Sequence, residues 1–256
     1  MNNPKSRNPP EPAVVPAPPW ARPARKPPRT QLTREGIVAA ALRLVDRQGL
    51  DALSMRRLAD ELGTGAASLY WHVQNREELL NLMIDAVVGE IRLPKQNPAR
   101  WQQQLKELGR EMRRALGSHR DIARATMGRI PFGPNVLRVS EWTLGLLRRA
   151  ELPDRVTALV MDLFALYVGA FAMEESSGVP VSPAEDAAGP AQVVEMYRAY
   201  FHSLPPEQFP NTTALADLLV EGDVDDRFEF GMDVLISGLA SQSAMASGRR
   251  KSRASQ

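Results

Sequence analysis

At 256 residues with 43% hydrophobic content, the chain has enough apolar mass for a small domain and a larger one. It contains no cysteine, which excludes disulfides, thiolate metal sites and cysteine nucleophiles, and fits a reducing compartment. The net charge of +2 conceals an asymmetry: residues 1–31 carry six basic groups against Glu11, and the far end carries Arg249, Arg250, Lys251 and Arg253.

From Met1 to Gln31 there are ten prolines and no periodicity, so this segment is expected to be disordered or polyproline-like. It lacks the apolar core of a signal peptide. Its second half holds Arg22, Arg25, Lys26 and Arg29 and abuts the first helix. A basic arm in that place either lies in a DNA minor groove or acts only as a solubilising tail. Acidic groups outnumber basic ones, nine to seven, over residues 32–92, so on DNA the chain ends would supply much of the attraction to phosphate.

The first helix starts at Thr33 as N-cap, with Ile37, Ala41, Leu44 and Val45 on one stripe and Gly49 closing it. Ser54 caps a second helix in which Met55, Leu58, Ala59 and Leu62 share a face, and Gly63 ends it. Leu69 and Val73 then face inward from a third, which leaves Ser68, Tyr70 and His72 on other faces. Two short helices about a glycine-containing turn make a helix-turn-helix, whose second helix enters the major groove. Asn75 caps a fourth helix with Glu78 three residues on, the pattern of a capping box, and that helix ends before Pro94.

Beyond Pro94 the pattern predicts helices near Arg100–Leu116, His119–Met127, Pro134–Ala150, Pro153–Ser176, Pro190–Ser203 and Asp225–Ala246. Ser118 is expected to cap the second of these, with Asp121 at its third position. The stretch from Ser176 to Pro190 is the expected mobile loop. The longest apolar run, Leu163 to Met173, is too short to span a bilayer and is bracketed by Asp162 and Glu174, so a soluble cytoplasmic protein with no membrane partner is expected.

The segment from Leu32 to Leu93 resembles the TetR family of transcriptional regulators, and LYWHVQNREELL resembles its tetracycline-repressor branch. LTREGIVAAALRLVDRQG is similar to that family's first helix, LSMRRLADELG to its second, and ASLYWHV to its recognition helix. GSHRDIARATMGRIP and VTALVMDLFALYVGAFAMEE carry the likeness into a C-terminal domain of the same class. The resemblance implies an all-α chain with four parts. These are a basic arm (1–31), a helix-turn-helix DNA-binding domain (32–93), a helical ligand-binding and dimerisation domain (94–246) and a basic tail (247–256).

Within this motif Tyr70 and His72 are the leading DNA contacts, since both can donate to phosphate and lay a ring against sugar or a thymine methyl. Ser68, Arg56 and Arg76 are further candidates, for base edges or backbone; Trp71 is open between packing and backbone contact. Ala66 and Ala67 stand where the nearest family members carry glutamine and proline. Two methyl groups cannot read an operator as those residues do.

The tetracycline-binding members hold a magnesium–drug chelate with histidines and an asparagine. The matching positions here are Glu90, Leu108 and Thr126, which do not suit such a chelate, and no cofactor or metal is expected. Leu108, Met112, Thr126, Met127, Phe132, Trp142, Met161, Phe164 and Tyr167 suggest instead an apolar and aromatic cavity for a lipophilic effector, or else ordinary core.

No phosphate loop, nucleophile elbow or metal spacing occurs, and histidines 72, 119 and 202 make no cluster, so no enzyme is expected. The expectation is a homodimer on a palindromic operator, with half-sites roughly 34 Å apart. It is formed through Val156, Leu159, Val160, Leu163, Val168 and Phe171 on one helix and Phe230, Val234, Leu235 and Leu239 on another. A lipophilic molecule would release it from an efflux or resistance gene on the nucleoid. The alternative is a weakly specific DNA-binding protein that relies on its basic arm.

Overall fold

The computed structural model describes residues 32–176 and 190–254, with side-chain surroundings for 32–176 and 191–242. Arg22, Arg25, Lys26 and Arg29 of the arm, and residues 177–189 of the expected loop, lie outside the described residues. Every regular element among the described residues is helical.

The N-terminal helices are set by local chemistry. α1 (Arg34–Gln48) is capped by Thr33, whose hydroxyl accepts from the Gly36 N–H, and Gly49 closes it at φ 81°. Its buried face is Ile37, Val38, Ala40, Ala41, Leu44 and Val45. A 3-10 turn at Leu50–Ala52 leads into α2 (Met55–Glu61), where the Ser54 hydroxyl accepts from the Arg57 N–H. Gly63 sits at φ 60°, in the left-handed region where a Cβ is strained, and turns the chain toward α3 (Ala66–Tyr70). α4 (Arg76–Gly89) is capped by Asn75, and Glu78 reaches back to the Gln74 N–H. Leu44, Leu58, Leu69, Leu79 and Met83 are fully buried and make the core that α1 to α4 share.

α5 (Trp101–Gly117) follows a second 3-10 turn at Pro98–Arg100. α6 (Ile122–Thr126) begins later than the His119 expected from its sequence. The capping reading of Ser118 and Asp121 is corrected by the structure. Ser118 donates its hydroxyl back to the Ala115 carbonyl, as a residue ending α5 does, and Asp121 adopts φ 60° as the residue before α6 with no side-chain cap bond. The reason is tertiary: the Asp121 carboxylate is taken by the Leu50 N–H at 2.8 Å.

α7 (Pro134–Arg149) and α8 (Asp154–Ser176) pack on each other and on α5, and α6 packs on α8 and α4. At 23 residues α8 is long and apolar enough to cross a membrane by length and composition, a test the shorter run Leu163–Met173 does not pass. Core helices pass the same test, and Val160, Phe164, Val168 and Ala172 bury one side of α8 inside the protein. α9 (Pro190–Ser203) is followed by α10 (Pro210–Ala214), a five-residue helix that the sequence pattern does not predict. α11 (Val224–Ala254) runs past Ala246 through the stretch expected as a tail.

α11 is fastened to α5 and α8. Lys106 pairs with Asp233 at 2.7 Å and with Glu229 at 3.2 Å, and Arg113 pairs with Asp225 at 2.7 Å and with Glu175. Between these pairs Tyr167, Phe171 and Phe228 form an aromatic cluster, with the Arg113 guanidinium 4.7 Å from the Phe228 centroid. The Tyr167 hydroxyl donates to the Phe228 carbonyl at 2.9 Å, and a Cβ on Gly231 would collide with that hydroxyl. Only glycine permits this approach.

Candidate DNA-reading face and its link to the effector domain

α3 is held from behind and bare in front. Leu69 and Val73 are buried, and the His72 carbonyl accepts from the Arg34 Nε at 3.1 Å. Arg34 also pairs with Glu78 at 2.8 Å, so α1 and α4 fix the end of α3 together. On the open side Tyr70 is 51% exposed and Trp71 89% exposed. An indole so exposed does not pack within the chain. Ala67 and Arg56 are exposed on the same unit, while Ala66, Ser68 and His72 are half-buried.

Arg76 is placed differently from the other candidates. Its guanidinium donates to the Leu53 carbonyl at 3.1 Å and to the Leu50 carbonyl at 3.3 Å, bracing the turn before α2. Those donors are committed inside the protein.

A polar seam joins this unit to α6 and its flanking turns. Arg124 donates to Asp51 at 2.9 Å, and Arg129 pairs with Glu77, whose carboxyl it holds below the usual range. His119 sits between two carboxylates, with Nδ1 3.1 Å from Asp46 and Nε2 3.1 Å from Glu90. Burial pulls the imidazole pKa down, but the bonds to Glu90 and Asp46 outweigh it and the net direction is upward.

A second link runs from α4 to α7. Asp85, buried in the middle of α4, accepts from the Asn135 and Val136 N–H groups at 3.0 and 2.9 Å and from the Asn135 side chain at 3.1 Å. It thus caps a helix to which it does not belong. A Cβ on Gly133 would collide with the Asp85 carboxyl carbon, so glycine is required there by contact. Arg138 of α7 reaches the carbonyls at the end of α4, the nearest being that of Ile91 at 3.1 Å, and the Trp142 indole donates to the Pro94 carbonyl at 2.8 Å.

The nine candidate effector residues do not converge as one set. Leu108 and Phe164 are buried, and Phe164 lies 3.0 Å from where a Cβ on Gly109 would stand. Met127 packs likewise on Gly169, and Thr126 donates its hydroxyl to the Ala123 carbonyl. Met112 and Met161 are half-buried on α5 and α8. Tyr167 is turned to α11 and Trp142 to the linker, while Phe132, between Pro131 and Gly133, is 70% exposed. The positions matched to a chelate site do not fit one: Glu90 is engaged by His119, Leu108 offers no donor atom and the Thr126 hydroxyl is bonded to backbone. No group of three or more potential ligands stands in metal-binding geometry among the described residues.

The outer sides of α8 and α11 carry exposed apolar stripes, Leu159, Leu163 and Leu166 on one, Phe230 and Val234 on the other. Of the residues expected at a dimer contact, Val160, Val168 and Leu239 are instead buried within the chain, because they face α8's and α11's own neighbours.

Residues 37–83 match the family described as bacterial regulatory proteins, tetR family, and residues 93–243 match the tetracyclin repressor-like C-terminal domain. The chain is similar to an HTH-type transcriptional regulator of Saccharopolyspora erythraea, 42% identical over 133 residues, which cover 51% of this chain and 56% of that protein. The match thus spans only a little over half of that relative's length. Similarity to the class A tetracycline repressor of transposon 1721 from Escherichia coli is 31% and covers 82% of this chain and 92% of that one. Among solved structures, ActR of Streptomyces coelicolor in complex with actinorhodin is 43% identical with a TM-score of 0.75, covering 83% of this chain and 97% of ActR.

Proposed function

Because the chain belongs to the tetR family of bacterial regulatory proteins, we propose that it is a repressor that binds a two-fold operator as a homodimer and lets go when its effector domain takes up a small molecule. The observation that carries this reading is the contrast on α3, braced behind by Arg34 and Glu78 and bare in front at Tyr70 and Trp71. Side chains presented in this way meet a partner, and in a helix-turn-helix the partner is the major groove and its flanking phosphates. Tyr70, His72, Ser68, Ala66, Ala67 and Arg56 are the proposed reading residues; the basic arm adds attraction to phosphate.

Dimerisation supplies two heads. The stripes on α8 and α11 would pair with their copies as a four-helix bundle, which covers five large apolar side chains left exposed in one chain. The effector site lies among α5, α6 and α8, lined by Leu108, Met112, Thr126, Met127, Met161 and Phe164. ActR is seen with actinorhodin, and a ligand of that kind is proposed here in place of a metal chelate. Entry of ligand beside Met127 would displace α6 and pull on the seam; release needs only that the ligand prefer the displaced state. Control of an efflux or resistance gene is proposed by analogy with the tetracycline repressors.

The test is selection of genomic DNA on the purified full chain, followed by footprinting and by titration with actinorhodin. A discrete protected palindrome, lost on adding the compound, is the expected result. Binding indifferent to sequence and abolished by salt would favour the arm-driven alternative, and no binding to any duplex would end the proposal.

A further inference from the structure

The seam between reading head and effector domain contains one tie whose strength a proton can set. We infer that His119 is a proton-operated clasp and a positioning residue for operator binding: as imidazolium it donates at once to Asp46 on α1 and to Glu90 at the end of α4. This rests on the operator-binding reading above and adds a regulation to it.

Both ring nitrogens face a carboxylate oxygen at 3.1 Å. A neutral imidazole has a single N–H, so in that form one carboxylate would meet a lone pair. Only the protonated ring satisfies both. The surroundings agree. From α1 comes Asp46, which also accepts from the Arg120 N–H at 3.1 Å. From α4 comes Glu90, whose carbonyl takes a bond from Arg114 of α5 at 3.1 Å, and Arg114 is itself paired with Glu111. The Arg120 side chain lies along Gly49, beside the turn. The ring thus meets two carboxylates directly, and the flanking arginines have acceptors of their own or lie to one side.

The sign follows from the upward shift. The clasp is complete below the ordinary imidazole value of about 6.5 and is lost as pH rises through the raised value in the folded protein. The other ties of the seam, from Leu50 to Asp121, Asp51 to Arg124 and Glu77 to Arg129, contain no imidazole. Of the remaining histidines, His72 lies in the reading stretch and His202 pairs with Asp217, away from the seam.

The clasp joins α1 and α4, the same two helices that hold the end of α3 through Arg34 and Glu78. Closing it stiffens the frame behind the reading helix, and a preorganised frame loses less freedom on binding, so protonation should favour the operator-bound state. The experiment compares operator affinity from pH 6 to 8.5 for the wild type and for His119→Gln, on the tightest duplex recovered by selection. His72 and His202 are present in both proteins, so whatever they contribute cancels in the ratio. The wild type should lose affinity with rising pH by about tenfold more than the variant for each unit of pKa difference between bound and released states. Equal slopes, or a difference of the opposite sign, overturn the clasp. A second readout needs neither DNA nor that variant: the 13C-labelled ring of His119 should titrate above the ordinary value, and lower in Asp46→Asn and in Glu90→Gln. A ring that titrates at or below the ordinary value in the wild type overturns it as well. If no duplex is selected, the operator reading fails while the ring titration still decides the clasp.

Discussion

Where the turns beside α6 meet the reading head the charged contacts are partly exposed, built from Asp46, Asp51, Glu77 and Glu90 against His119, Arg124 and Arg129. Along α8 and α11 the exposed material is the reverse, with Leu159, Leu163, Leu166, Phe230 and Val234 in rows. The two surfaces suit different lives. Each surface ion pair adds little net stability, so a seam made of them can part and re-form under a ligand's influence. Apolar rows have no comparable substitute for burial, and the face that carries them is one to keep permanently covered. A switch needs both: a joint that yields, and a floor that does not.

The largest expected effect is on the floor. Leu163→Glu combined with Phe230→Glu should convert the proposed dimer to monomer by sedimentation and lower affinity for the proposed operator by more than ~100-fold, because one head then binds alone. A dimer that survives both changes would break the comparison. Next comes the reading face. Tyr70→Ala with His72→Ala should cost about 1–3 kcal/mol of operator binding for each of the two side chains removed, measured by fluorescence anisotropy, with helicity by circular dichroism unchanged. Third is Asp85→Ala, which removes a cap and leaves the α7 N–H groups to solvent. A loss of about 2–3 kcal/mol in urea unfolding is expected, with Asp85→Asn milder. The smallest effect belongs to the seam: Arg124→Gln should change stability by under ~1 kcal/mol, since Asp51 is largely exposed, yet alter the concentration at which the proposed effector releases DNA. A large stability loss there would show the seam to be rigid after all.

The helix ends of the reading head are legible in the sequence because capping is local. Thr33, Ser54 and Asn75 act within three residues of themselves, as their types and spacing predict. What stays hidden depends on partners far along the chain. Nothing near Asp85 announces that it will cap a helix fifty residues on, and nothing near Asp121 shows that Leu50 will claim its carboxylate and leave α6 to start late. Arg76 reads as a backbone-contacting arginine until the turn at Leu50–Leu53 folds under it. Most of the candidate effector residues are apolar side chains at helical spacing, and spacing does not say which neighbour they meet. Tyr167 meets α11, Phe132 meets solvent, and α10 is too short to carry a periodic signal.

The bond set around Asp85 bears on anyone who would transplant this reading head onto a foreign sensor. A graft cut after Leu93, where the helix-turn-helix unit stops, strands a buried carboxylate without its three donors and without the Gly133 backbone that packs against it. A chimera that carries Gly133 to Val136 along with the head, or replaces Asp85 by a leucine, should express and fold where the simple fusion does not.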